Sequence, residues 1–269
     1  MRQFNPAFDM PFFDNAGLPL AFAHRGGALL DDGTGLENTM AAFQGAVDMG
    51  YRHIETDVHA TKDGVLVVFH DPTLERLTDA EGIINDLTYA EMRHAKVGGR
   101  DAIPLLDDVL TSWPHMRFNV DAKSKRSIEL LARAIERHHA WDRVCLATFS
   151  PRELSWMRKR IGPRVATSLS YLGVMSLRLV PTRQLRNLLL SHAGQAVQVP
   201  VRRGPLELVT SEFIERAHAV GKHVHAWTID EPDEMNRLLD LGVDGLMTDR
   251  SAVLRDVYLT RGVWRASDA

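Results

Sequence analysis

Two carboxylates, Glu55 and Asp57, stand two residues apart in HIETDV (53–58). On an extended strand that spacing puts both side chains on one side. Like charges so close are costly unless a cation bridges them or one takes a proton. Asp121, in FNVDAKS (118–124), offers a third oxygen ligand, and no cysteine lies near. Carboxylates without sulfur suit one hard divalent cation, Mg²⁺ or Ca²⁺; the plainer alternative is solvated acids at strand ends. His24 and His70 are imidazoles able to give and take protons near neutral pH. Arg25 and Lys123 stand beside them, and a guanidinium suits two-point capture of a phosphate. Ion pairing with the neighbouring acids is compatible with that role. Trp227, in HAWTID (225–230), is either a stacking surface for a substrate or a core residue. The other ten of the twelve histidines read as structural, His59 being nearest to the Glu55/Asp57 face. Glu37 is placed to orient site groups, Asn38 reads as the cap of the first helix, and Asp142, Asp244 and Asp249 read as loop or strand-edge residues.

These residues need elements to position them. Short β-rich runs are predicted at Leu20–His24, His53–Val58, Val65–His70, Phe118–Asp121, Val144–Phe149, Val165–Leu169, Ala196–Pro200, His223–Thr228 and Gly245–Thr248. Amphipathic helical runs alternate with most of them: Asn38–Met49, Ser127–His139, Pro151–Ile161, Ser211–Val220 and Pro232–Leu241. Strands alternating with helices imply parallel pairing. One link breaks the rule. VHATKDG (58–64) is too short for a parallel crossover and carries turn residues, so 53–70 reads as a hairpin. With the turn centred on Lys62–Asp63, Glu55 lies opposite His70 and Asp57 opposite Val68. Setting the return strand aside leaves eight parallel strands, the number of a closed (β/α)₈ barrel with an extra hairpin strand after strand 2. The alternative, an open doubly wound sheet, lacks a Gly-rich phosphate loop after the first strand. In such a barrel chemistry sits at the C-terminal strand ends, where His24-Arg25, Glu55, Asp57, Asp121, Lys123 and Trp227 all fall. Tyr171–Leu190, apolar with Arg178, Arg183 and Arg186, reads as a helix pair of the barrel, with lipid or partner contact as the alternative.

The bulk composition sets outer limits. With 269 residues, 45% hydrophobic and 25% charged, the chain can form one large domain, its core about 20–260. A net charge of −3 gives no broad basic surface for nucleic acid. A single cysteine, Cys145, fits a reducing compartment. No run has the length of a signal peptide or a membrane span, so a cytoplasmic location is the expectation, with the oligomeric state open.

The motifs AHRGG (23–27), LENTMAAF (36–43), HIETDVHATKDGVLVVFHDPTLERLT (53–78), IPLLDDVL (103–110), FNVDAKS (118–124), ATFSP (147–151), HAWTID (225–230) and VDGLMTD (243–249) run across nearly the whole chain. In kind and order they resemble the glycerophosphodiester phosphodiesterase family. The resemblance implies a TIM barrel, a divalent cation, and hydrolysis of a phosphodiester to an alcohol and a phosphomonoester. It implies His24 and His70 as the catalytic pair, Glu55, Asp57 and a third acid as metal ligands, Arg25 and Lys123 as phosphate contacts, and Trp227 as a pocket residue. The chain departs from the family pattern at Asp121, where Glu is usual, and at Leu36, where Pro is usual. Its loop ALLDDGTG (28–35) is longer and more acidic than usual. The expected substrate is a glycerophosphodiester giving glycerol 3-phosphate. The alternatives are a lysophospholipid, cleaved as by a lysophospholipase D, and a barrel that binds phosphodiesters without cleaving them.

Overall fold

The computed structural model describes residues 10–27, 36–191 and 193–266. The acidic loop 28–35 expected at the pocket mouth lies outside the described residues. Among those described, eight parallel strands form the frame: β1 (Leu20–His24), β2 (His53–Ala60), β3 (Arg117–Ala122), β4 (Val144–Ala147), β5 (Ala166–Thr167), β6 (Ala196–Pro200), β7 (His223–Trp227) and β8 (Gly245–Thr248). They pair in the order β5-β4-β3-β2-β1-β8-β7-β6. A parallel bridge between Ser168 and Ala196 joins the two ends of that order, with Leu169 N–H donating to the Ala196 carbonyl at 2.7 Å. The result is a nearly closed (β/α)₈ barrel, as the alternation predicts.

Helices cover the barrel because their apolar stripes have nowhere else to go. The helix Lys125–Arg137 is a clear case: Ile128, Leu131, Ala132 and Ile135 are buried at helical spacing, and Ser124 caps it through Ser127 N–H. It starts three residues before Ile128, the first apolar residue of the pattern, because the cap sets the start. The inner barrel is sealed at its N-terminal end by Phe12 and Phe13 of the turn Pro11–Phe13. Phe12 packs against Phe22 and His53, and Phe13 stacks on His223 with ring centroids 4.5 Å apart. Burying each phenyl contributes on the order of 2–3 kcal/mol. Tyr171–Leu190 is indeed two helices, Tyr171–Leu179 and Arg183–Leu190. Among the described residues no helix is long and apolar enough to cross a membrane.

Two expectations are corrected. The hairpin exists, with return strand Leu66–Val68, but its register pairs Val58 with Val68 and Ala60 with Leu66. Asp57 therefore faces Phe69, whose N–H donates to the Asp57 carbonyl at 3.0 Å, and the register differs by one residue from that expected. The reason is the turn. Thr61 and Val65 close it, and Gly64, at φ +86°, adds a third loop residue. The first helix, Met40–Asp48, is capped by Thr39, which accepts from Ala42 N–H, and not by Asn38. The segment 71–116, for which the sequence pattern predicts no element, folds around its own small core of Leu74, Ile84, Met92, Val97 and Ile103. It supplies the helix Leu106–Ser112.

Candidate active site

The strand register places the chemistry. β1 and β2 pair His24 with Glu55, and β2 and β3 pair Asp57 with Asp121. All four then stand at adjacent C-terminal strand ends, and with Arg25, His70, Lys123 and Trp227 they line one cavity of about 130 Å³. Its wall is completed by Asn119, Gln198, Phe149, Leu169 and Met247. His70 reaches the cavity from beyond the return strand, so the altered register does not remove it.

The chain after β1 must turn sharply to bring Arg25 in. Arg25 sits at φ +52°, followed by Gly26 and Gly27 at +84° and +88°. A Cβ on Gly26 would lie 2.6 Å from the Phe43 ring, and one on Gly27 would lie 2.4 Å from Ser251 Oγ. Both glycines are thus required by close approach as well as by conformation.

Each histidine leans on a carboxylate. His24 Nδ1 is 2.6 Å from Asp249 Oδ1, and its Nε2 is 3.6 Å from Glu55 Oε2. Burial pulls the His24 pKa down, but Glu55 and Asp249 more than offset this and hold it above the ordinary value. His70 Nδ1 is 2.6 Å from Asp71 Oδ1. With Nδ1 bonded to a carboxylate, the tautomer that leaves Nε2 free is favoured in both rings. Asp71 is in turn gripped by Arg76, which also donates to Glu37, 2.7 Å from Nη2 to Oε1. The Arg76 hydrogen bonds, with burial opposing, hold the Asp71 carboxyl down at about 2. Glu37 accepts from Arg25 Nη1 at 2.9 Å as well, which gives it the orienting place expected for it.

Of the three acids Glu55, Asp57 and Asp121, Asp57 is the most heavily bonded. Lys123 Nζ is 2.7 Å from Asp57 Oδ1 and 2.7 Å from Asp121 Oδ2. Asn38 Nδ2 donates to Asp57 Oδ2 at 3.1 Å, and Asn38 Oδ1 accepts from Thr56. Burial raises the Asp57 pKa, but Lys123 outweighs it and the net shift is down. Among the described residues Glu55 has no lysine bonded to it; His24 Nε2 stands 3.6 Å away. Burial, then the Asp57 charge, pushes it up to about 8. Asp121 is also raised, by burial first.

Trp227 is half-buried at the mouth, its ring 6.1 Å from that of Phe149 in an edge-on arrangement. It lines the cavity and is not sealed in the core. Of the residues singled out in the sequence, His24, Arg25, Glu55, Asp57, His70, Asp121, Lys123 and Trp227 all come together, while Asp142 pairs with Arg164 outside. His59 is buried and bonds the His70 carbonyl. Asp249, Asp71 and Arg76 were not singled out as site groups. Asp249 lies one residue past β8, where the rule that flags strand ends applies equally, and Asp71 is adjacent to His70.

Residues 24–253 match the model of the glycerophosphoryl diester phosphodiesterase family. The chain belongs to that family. It is 40% identical over 235 residues, 84% of this chain and 87% of the relative, to a probable glycerophosphodiester phosphodiesterase 2 of Mycobacterium tuberculosis. Among solved structures, a putative glycerophosphoryl diester phosphodiesterase from Silicibacter pomeroyi matches with TM-score 0.78 at 23% identity, covering 97% of this chain and 99% of that one. A phosphodiesterase from Oleispira antarctica, solved with the product sn-glycerol-3-phosphate, matches with TM-score 0.73 at 23% identity, covering 90% and 97%. These two likenesses bear on the fold.

Proposed function

We propose that this member of the glycerophosphoryl diester phosphodiesterase family hydrolyses glycerophosphodiesters to an alcohol and glycerol 3-phosphate by proton transfer at His24 and His70. The observation that carries this is the pair of carboxylate-backed imidazoles on one cavity that also holds Arg25 and Lys123. A phosphodiester entering that cavity meets two cations suited to its non-bridging oxygens. One Nε2 takes a proton from the attacking hydroxyl as the P–O bond to it forms. The other gives a proton to the alkoxide as the second P–O bond breaks. Water, or a neighbouring hydroxyl of the glycerol followed by water, fits the nucleophile's role. Asp249 and Asp71 hold the rings in orientation, and Asp249 with Glu55 raises the proton affinity of His24; the two aspartates are positioning residues.

The donor set fits one divalent cation. Three carboxylates without sulfur are hard ligands, and burial and mutual repulsion leave Glu55 and Asp121 reluctant to ionise without more positive charge. Glu55, Asp57 and Asp121 would hold the ion, Mg²⁺ or Ca²⁺. Lys123 spans Asp57 and Asp121 here, and among the described residues no three His, Cys, Asp or Glu side chains are already placed to hold a metal together. The fit is therefore of donor chemistry, and Lys123 shares the oxygens that an ion would use. When bound, such a cation offsets charge on a phosphoryl oxygen.

His24→Ala and His70→Ala each test the scheme: kcat on a glycerophosphodiester is expected to fall by about two to four orders of magnitude. Near-normal turnover in either variant would sink the two-histidine mechanism. Tight binding of the diester without turnover by the unaltered protein would instead support a barrel that only binds.

A further inference from the structure

The rim of the cavity is chemically lopsided. Phe149, after β4, both lines the cavity and is 58% exposed. Tyr171 N–H donates to the Phe149 carbonyl at 3.2 Å, so the helix Tyr171–Leu179 begins beside it. Gly173 lets that helix lie close against the cavity wall, since a Cβ there would meet Leu169 Cβ at 3.0 Å. Its far end is tied by Arg216, which donates to the carbonyls of Leu177 and Arg178. Arg216 belongs to the helix Ser211–Ala219, so Tyr171–Leu179 reaches from the end of β5 to the helix that follows β6.

The outer face of this helix is apolar. Tyr171, Leu172, Met175 and Leu179 are exposed, Leu179 by 66%, while Gly173 and Leu177 on the inner face are buried. The next helix exposes Leu185, Leu188 and Leu189, Leu188 by 74%. A stripe at this spacing normally packs on a core, yet these side chains are exposed among the described residues.

Charge decides what fits there. From Val165 to Leu206 the sequence holds five arginines and no Asp or Glu, in a chain with 35 acids and a net charge of −3. Arg183 is exposed beside the leucines, and Arg203 is exposed on the short hairpin after β6, where Arg202 pairs with Glu207 at 3.6 Å. A second copy meeting the helix Arg183–Leu190 across a two-fold axis would set Arg183 against Arg183 with no acid of that helix to answer it. Apolar side chains interleaved with arginines suit the interface of an anionic bilayer, where the chains enter the acyl boundary and the guanidiniums meet headgroup phosphates.

We propose that Phe149 and the helix pair Tyr171–Leu190 form a docking face for an anionic lipid surface, holding the cavity mouth at the interface. Docking there would admit a diester headgroup still attached to one acyl chain. The binding does not depend on the reaction proposed above; only the choice of a lysolipid substrate does.

Co-sedimentation of the full chain with phosphatidylcholine vesicles, with and without an anionic phospholipid, tests it. The protein is expected to bind the anionic vesicles at least about tenfold more tightly, and salt is expected to weaken that binding. Leu172→Ser with Met175→Ser and Leu179→Ser should abolish binding, and Arg178→Gln with Arg183→Gln should weaken it by about fivefold per arginine. Both variants should retain the urea midpoint and the turnover of water-soluble glycerophosphocholine. No binding by the wild-type protein, or equal binding by the triple variant, would overturn the proposal. So would a dimer dispersed by the same substitutions, which assigns the face to a second copy. If neither glycerophosphocholine nor a lysophospholipid is turned over while vesicle binding stands, it is the reaction that fails and not the docking face.

Discussion

Asp249→Asn isolates the part of the site that acts through another residue. Asp249 accepts from His24 Nδ1 at 2.6 Å, and its own N–H is held by Asp230 Oδ1 at 2.9 Å, so the backbone of the variant should stay in place. A charge-assisted hydrogen bond contributes about 1.5–3 kcal/mol net. If all of it is realised at the transition state, its loss lowers kcat roughly ten- to 150-fold. The amide can also present its NH₂ to Nδ1 and so favour the tautomer with the proton on Nε2, which adds to the loss. Because Asp249 is not among the residues lining the cavity, KM should change little while kcat falls. Removing a carboxylate also lowers the proton affinity of His24, so the limb of the pH–kcat profile that His24 controls should move to lower pH. Movement of the alkaline limb makes His24 the proton donor; movement of the acidic limb makes it the acceptor. Steady-state kinetics from pH 5 to 9 supplies both readings. A variant whose kcat stays within about threefold of wild type, with neither limb displaced, would refute the positioning role.

Three further outcomes are expected. Chelation should abolish turnover and Mg²⁺ or Ca²⁺ should restore it; apart from activity, an ion at a hundred times its dissociation constant should stabilise the fold by about 2.7 kcal/mol in a thermal melt, and no shift would count against the Glu55/Asp57/Asp121 site. Gly27→Ala should cost about 2–4 kcal/mol, because its φ of +88° strains a side chain and the added methyl meets Ser251 Oγ at 2.4 Å; an unchanged denaturation midpoint would contradict this. Acid should destabilise the protein through His225 and His53, whose pKa values burial, then nearby positive groups, depress, that of His225 to about 3. The unfolded chain binds these protons near the ordinary 6.5 and the folded chain does not. Stability is therefore intact above that value and falls below it by up to about 1.4 kcal/mol per pH unit for each histidine; urea midpoints equal at pH 7 and pH 5 would contradict this.

The barrel was legible because its strands are short apolar runs separated by amphipathic helices, a pattern that follows from burial on one face or two. Leu20–His24, Ala196–Pro200 and Gly245–Thr248 come out with the bounds expected, since turn residues and helix caps flank them. The segment 71–116 was not legible, because its core is built from single apolar residues of loops and one-turn elements, which carry no period. Asn38 misled for a related reason. An Asn before an apolar run reads as a cap, but at φ +60° its amide instead ties Asp57 to Thr56, and Thr39, one residue on, has the extended backbone that a cap needs.

The site residues themselves were visible as strand ends, whereas their ionisation was not, and the reason lies in how far apart the neighbours are in sequence. Glu55 and Asp57 look equivalent in HIETDV. They differ because Asp57 collects Lys123 from beyond β3, Asn38 from the start of the first helix and Arg25 from the turn after β1, while Glu55 receives one backbone N–H, from Arg25, at 3.2 Å, and the His24 ring at 3.6 Å. Two carboxylates side by side in a buried place cannot share charge evenly, so proton affinity is raised at Glu55 and lowered at Asp57. The same reasoning explains Asp121. One methylene shorter than the Glu usual in the family, it still reaches Lys123, whose ammonium lies 2.7 Å from both Asp57 and Asp121. An arriving cation would have to displace that ammonium from at least one oxygen, which frees Lys123 for a phosphoryl oxygen. Lys123→Met should therefore weaken diester binding while easing ion binding. Those opposite signs in two binding isotherms would not be seen if Lys123 were only a surface partner for the acids.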